Sequence, residues 1–118
     1  MAPVALVLVP TRELALQVVK VCRGFKRSQS VRAVAVFGGQ GKSEQVGLLE
    51  EGVDIVAATP GRLLELLECR QIDLAHVSYL VLDEADKMLE MGFEEQLDKA
   101  RRSTPERICR EPSPSLTR

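Results

Sequence analysis

Short apolar runs that stop abruptly alternate along this chain with stretches in which apolar residues return every three or four positions. Val4 to Val9 (VALVLV) is wholly apolar and is halted by Pro10, so it is too short for a buried helix and predicts a central strand. Leu14, Ala15, Val18, Cys22 and Phe25 then recur at helical spacing, with Arg12, Lys20, Arg23 and Lys26 left for solvent. Val31 to Phe37 predicts a second strand, closed by a tight turn at Gly38 and Gly39 and followed by a short helix around Ser43 to Glu50. Asp54 to Ala58 predicts a third. After it, Thr59 stands as N-cap and Pro60 as first residue of a helix whose Leu63, Leu64, Leu66 and Leu67 read as core. Val77 and Tyr79 to Leu82 form a fourth run without strict alternation, the signature of a strand buried on both faces. It ends at Asp83. A helix to about Leu89 follows, Gly92 interrupts it, and Phe93 to Arg102 predicts another, with Phe93, Leu97 and Ala100 inward.

Strands alternating with helices imply right-handed crossovers and an α/β fold: a parallel sheet of about four strands with helices on both faces. From Ser103 the periodicity is lost in a stretch rich in proline and poor in apolar residues, which predicts a disordered tail. The expected organisation is one folded unit over 1–102 and a tail over 103–118.

In such a sheet the loops leaving the carboxyl ends of the strands share one rim, where ligands bind. Asp83, Glu84 and Asp86 follow the fourth strand, as in nucleotide hydrolases that hold magnesium and orient a water there; acidic residues also favour a helix start. Thr11 and Thr59 each open a helix beside an arginine, Arg12 or Arg62. A hydroxyl, backbone amides and a guanidinium suit a phosphate, and the same hydroxyls suit capping. Gly38 to Ser43 (GGQGKS) carries a Gly-Lys-Ser ending, but the position five before Gly41 is Val36, inside a strand. That loop is too short to wrap a triphosphate, and Lys42 reads as a solvated charge or a helper at the rim.

Composition narrows the picture further. With 16 basic and 17 acidic residues the formal charge is -1, so any nucleic-acid site must be local. The basic stretch Lys20, Arg23, Lys26, Arg27 and Arg32 reads as a solvated face. Cys22, Cys69 and Cys109 lack paired spacing, which argues against a disulfide framework or a zinc site and for a reducing compartment. His76 has no partner at ligand spacing. No apolar run reaches membrane-spanning length, and the expected location is intracellular, nuclear or cytoplasmic.

PTRELA at Pro10 to Ala15, the Gly38 and Gly39 pair, TPGR at Thr59 to Arg62 and DEAD at Asp83 to Asp86 together resemble, in order and spacing, successive motifs of the DEAD-box ATP-dependent RNA helicases. The resemblance covers about Val4 to Leu97. It implies a RecA-like fold, ATP and magnesium as cofactors, and single-stranded RNA or an RNA duplex as partner. It also implies RNA-backbone contacts from residues matching Thr11, Arg12, Gly38, Gly39, Thr59, Gly61 and Arg62. Asp83 and Glu84 would serve magnesium, held at Asp83 through water, and the attacking water; Asp86 would couple the nucleotide site to a serine-alanine-threonine motif. The family's glutamine segment and phosphate-binding loop do not occur before Val4, that serine-alanine-threonine motif does not follow Leu97, and no second lobe is present. The expectation is a fragment of a first lobe with an incomplete ATP site, inactive in isolation. The competing expectation is a non-enzymatic product of a truncated helicase gene that binds RNA or a protein partner.

Overall fold

Each apolar run forms a strand, trimmed at its ends where the chain leaves the ladder. In the computed structural model, which describes residues 3–24, 31–39 and 41–104, the strands are β1 (Ala5–Leu8), β2 (Ala33–Val36), β3 (Ile55–Ala58) and β4 (Tyr79–Leu82). All pair in parallel, in the order β2-β3-β1-β4. Leu8 is level with Ala58 on one side and Leu82 on the other, so β1 is central, as its apolar run predicts.

Helices join the strands: α1 (Arg12–Arg23), α2 (Lys42–Glu50) and α3 (Pro60–Glu68), with α4 (Ala85–Glu90) and α5 (Glu94–Arg102) after β4. Helix α1 is capped by Thr11, whose hydroxyl accepts from the Leu14 amide at 3.3 Å. At the end of α4 the chain reverses through Gly92 (φ 86°), where the Phe93 amide reaches the Met88 carbonyl at 3.0 Å and starts α5 at a new angle. The same motif closes α3 without a glycine. There Gln71 donates to Leu66 and Arg70 to Leu67, while Arg70 itself sits at φ 58°, a conformation L residues adopt at a cost. Arg70→Gly is therefore expected to raise the unfolding free energy by roughly 0.5–1 kcal/mol, read from the urea midpoint at unchanged slope.

Alternation along the strands splits the core into two layers. Leu6, Leu8, Val34, Val36, Val56, Ala58, Leu80 and Leu82 face α2 to α5, packing against Leu49, Leu63, Leu66, Met88, Leu97 and Ala100. On the other face, among the described residues, α1 alone covers the sheet, through Ala15 and Val19 against Ala33, Phe37 and Ala57. Helices thus stand on both faces. Because α1 lies over β2 and β3, Tyr79 on β4 is 61% exposed and Val81 only half-buried. This corrects the expectation that β4 is buried on both faces: a continuous apolar run reports what a strand tolerates, not what stands beside it.

Within the leucine cluster Leu63 and Leu66 are buried and Leu64 and Leu67 half-buried. Cys22 and Cys69 are free thiols, and burial pushes the Cys22 thiol up. Phe25, Lys26, Arg27, Gln40, Cys109 and the tail from 105 onward lie outside the described residues. Among the described residues no helix is long and apolar enough to cross a membrane.

Candidate nucleic-acid interface at the strand ends

The ladder continues for one bond beyond β1, β3 and β4 and brings the loops out at one level. Val9 donates to the Ala58 carbonyl at 3.0 Å, Thr59 to Val36 at 3.0 Å and Asp83 to Leu8 at 2.9 Å. The rim they form contains a shallow groove lined by Pro10, Arg12, Phe37, Gly38, Thr59, Gly61, Arg62, Glu65 and Phe93. Five predicted RNA-backbone residues, Arg12, Gly38, Thr59, Gly61 and Arg62, therefore come together from three separate loops. Thr11 and Gly39 do not line the groove. Gly39 takes φ 88°, so the turn requires a glycine there, and a Cβ on it would lie 3.9 Å from Arg12 Nη1.

The two threonines carry the same sequence cue and behave differently. Thr11 uses its hydroxyl to cap α1, whereas Thr59 holds the N-cap backbone position of α3 and makes no side-chain cap bond. Gly61 stands in the first turn of α3, where an amide has no intrahelical acceptor. A Cβ built on Gly61 meets nothing within 4 Å, and its φ is not positive. Neither packing nor backbone conformation asks for a glycine here, although alanine favours a helix more.

The two arginines are held in different ways. Arg12 is exposed, with its guanidinium 5.6 Å from the centre of the Phe37 ring, a cation–π contact that steers it over the groove. The Arg62 side chain is only 10% exposed; its Nε donates to Glu65 Oε1 at 2.8 Å and its Nη1 to Gln45 Oε1 at 2.9 Å. Phe37, Gln45, Glu65 and Phe93 were not singled out as site residues by the motifs. The available signal was Gln45, a polar residue at a helical position that shares the buried face of α2 with Leu49.

The acidic loop lies outside this groove. Asp83 is half-buried at the end of β4, and Glu84 and Asp86 are exposed. Glu84 precedes α4 at φ 58° and ψ 48°, a left-handed conformation that costs an L residue about 1–2 kcal/mol. Such strain concentrates at functional turns. Among the described residues no three His, Cys, Asp or Glu side chains gather to hold a metal. Magnesium retains most of its waters and needs only one or two carboxylates beside phosphate oxygens, so the Asp83 carboxylate is a chemically suitable ligand.

The other candidates fall away from the groove. Lys42 places its amine 3.4 Å from the Cys69 sulfur. His76 is exposed. Lys20 and Arg23 sit at the far end of α1, which runs back from the rim, and Arg32 pairs with Glu51 at 3.2 Å.

A model of the family described as DEAD/DEAH box helicase matches residues 1–113. The chain is 56% identical over 97 residues to the ATP-dependent RNA helicase DBP2 of Eremothecium gossypii, covering 82% of this chain and 17% of that protein. It is 52% identical over 97 residues to DEAD-box ATP-dependent RNA helicase 30 of Arabidopsis thaliana, covering 82% and 16%. Among solved structures, the yeast DEAD-box splicing factor Prp28 superposes with a TM-score of 0.83 at 32% identity, over 98% of this chain and 29% of that one. A hypothetical ATP-dependent RNA helicase from Sulfolobus tokodaii gives 0.85 at 37%, over 92% and 33%. The chain spans about a sixth of the length of the curated relatives it matches.

Proposed function

Because the chain belongs to the DEAD/DEAH box helicase family, we propose that residues 1–102 supply the RNA-backbone rim and the magnesium and water carboxylates of a RecA-like helicase lobe. The groove grips phosphates from three loops. Thr59 offers an uncapped hydroxyl, Gly61 an amide at the positive end of α3, and Arg12 and Arg62 the guanidinium groups. Thr11 and Gly39 act beneath them, one by capping α1 and the other by making the turn. Interactions of this kind fix position on a strand and carry no sequence information.

The observation that carries the reading is Gly61. A residue that the fold does not require, on the wall of a groove lined by cations, is suited to the close approach of a ligand to the backbone. The test is Gly61→Ala. It should leave the fold as stable or more stable, by up to about 1 kcal/mol, since alanine favours the helix. It should also weaken binding of an oligouridylate roughly fivefold, about 1 kcal/mol. Unchanged affinity in a folded variant would overturn the reading.

On this reading Asp83 would hold magnesium through its water shell and Glu84 would orient the attacking water, a division of labour supported by the ATP-dependent relatives. Asp86, exposed at the start of α4, is assigned the link to other parts of the nucleotide site. When bound, magnesium with ATP supplies charge neutralisation on the phosphates; these residues contribute the position of the metal and of the water. A second reading, a product that binds RNA or a protein partner without turnover, would need only the groove, which the acidic loop does not line. The two differ in whether Asp83→Ala/Glu84→Ala abolishes phosphate release in a whole helicase carrying these residues, not in RNA affinity.

A further inference from the structure

Gln45 is almost completely buried, at 1% exposure, and none of the four motifs quoted above includes it. A buried amide is tolerated only where its hydrogen bonds are met. Its Oε1 accepts from the Phe37 amide at 3.3 Å and from Arg62 Nη1 at 2.9 Å, and its Nε2 donates to the Phe37 carbonyl at 3.0 Å. Phe37 lies one residue past the last ladder pair of β2, Val36 with Ala58. The Gln45 amide gives Phe37 both a donor and an acceptor, as a neighbouring strand would.

We propose that Gln45 is the positioning residue that holds the two groove arginines in register, Arg62 directly and Arg12 through Phe37. The link to Arg62 is a hydrogen bond to a charged group, stronger than a neutral one. The link to Arg12 runs through the backbone of Phe37, which fixes the ring lying 5.6 Å from the Arg12 guanidinium. Three elements, α2, β2 and α3, thus meet at one side-chain amide. Packing of α2 does not depend on it alone, since Leu49 is fully buried in the core on the same helix. The inference rests on the groove being the RNA-backbone site, and its test separates the two.

Oligouridylate binding is measured with the full 118-residue chain and with Gln45→Leu, Arg12→Ala/Arg62→Ala and the triple variant. Gln45→Leu keeps the side chain's bulk and removes its hydrogen bonds. It should weaken binding about tenfold and make the slope of log affinity against log salt shallower by about 0.7 for each phosphate that the groove no longer neutralises. Added to the two arginine substitutions, it should change affinity less than twofold, because it acts through them. An equal loss in both backgrounds, or an unchanged salt slope in folded Gln45→Leu, would mean only a brace for the fold and would overturn the proposal.

A second measurement uses the unsubstituted chain and no RNA. The Arg62 guanidinium should rotate slowly on the NMR timescale and the Phe37 amide should exchange slowly with solvent, while the Arg23 guanidinium rotates fast. Fast rotation of Arg62 overturns the positioning role whether or not Gln45→Leu folds. Failure of the unsubstituted chain to bind oligouridylate, with Arg62 slow, would sink the RNA reading instead and leave the register of the arginines standing.

Discussion

Raising salt from 50 to 200 mM should weaken the binding of single-stranded RNA to this chain by roughly seven- to eighteenfold. Each phosphate neutralised on a single strand contributes a slope of about −0.7 in log affinity against log salt. Two or three such neutralised phosphates, centred on Arg12 and Arg62, give a slope of about −1.4 to −2.1, and the fourfold rise in salt then yields that loss. The net charge of -1 supplies no long-range attraction that would add to it, so the dependence reports the groove alone. Replacing oligouridylate with a mixed sequence of the same length should change affinity little, because on the proposed reading amides, hydroxyls and guanidiniums would face phosphates. Fluorescence anisotropy titrations across salt test both statements. A flat salt profile, or a strong preference for one base, would refute a phosphate-gripping rim.

How much of this was legible in the sequence depended on whether the controlling forces were local. The strands were, because an apolar run ended by Pro10, Gly38, Thr59 or Asp83 has few alternatives once helical segments separate the runs. The shared rim followed from parallel topology. The exposure of Tyr79 was not legible, since it depends on how far α1 reaches across the sheet. Thr11 and Thr59 looked alike because a cap is decided by whether the hydroxyl reaches an amide in the next turn, a matter of torsion angles. Arg62 was legible as a phosphate-suited cation at a helix start, but its hydrogen bond to Gln45, seventeen residues away on another helix, and its 10% exposure were not. The left-handed Glu84 was invisible for the opposite reason, because glutamate has no preference for that conformation and the surrounding turn imposes it.

A polypeptide of these 118 residues is expected to release phosphate from ATP, with RNA and magnesium present, at least about a thousandfold more slowly than an enzyme with its full set of phosphoryl-transfer groups. Phosphoryl transfer is catalysed by holding metal, water and phosphates in line and by cations that stabilise charge in the transition state. On the proposed reading Asp83 and Glu84 serve the metal and the water, and Glu84 is held by the backbone in a strained turn beside α4. Among the described residues no comparable cradle awaits the phosphates. The Gly-Lys-Ser sequence at Gly41 to Ser43 begins one residue before α2, and Lys42 lies against Cys69 instead of closing a loop over a triphosphate. The groove arginines do not substitute, because Arg62 is tied to Gln45 and Glu65 and Arg12 lies over Phe37, in a groove that Asp83 does not line. An arginine finger alone is worth about 10³–10⁵ in rate, which sets the expected deficit. A phosphate-release assay comparing the chain with its Asp83→Ala/Glu84→Ala variant decides the matter: equal background rates are expected, and turnover that the two substitutions abolish would restore an active nucleotide site to these residues.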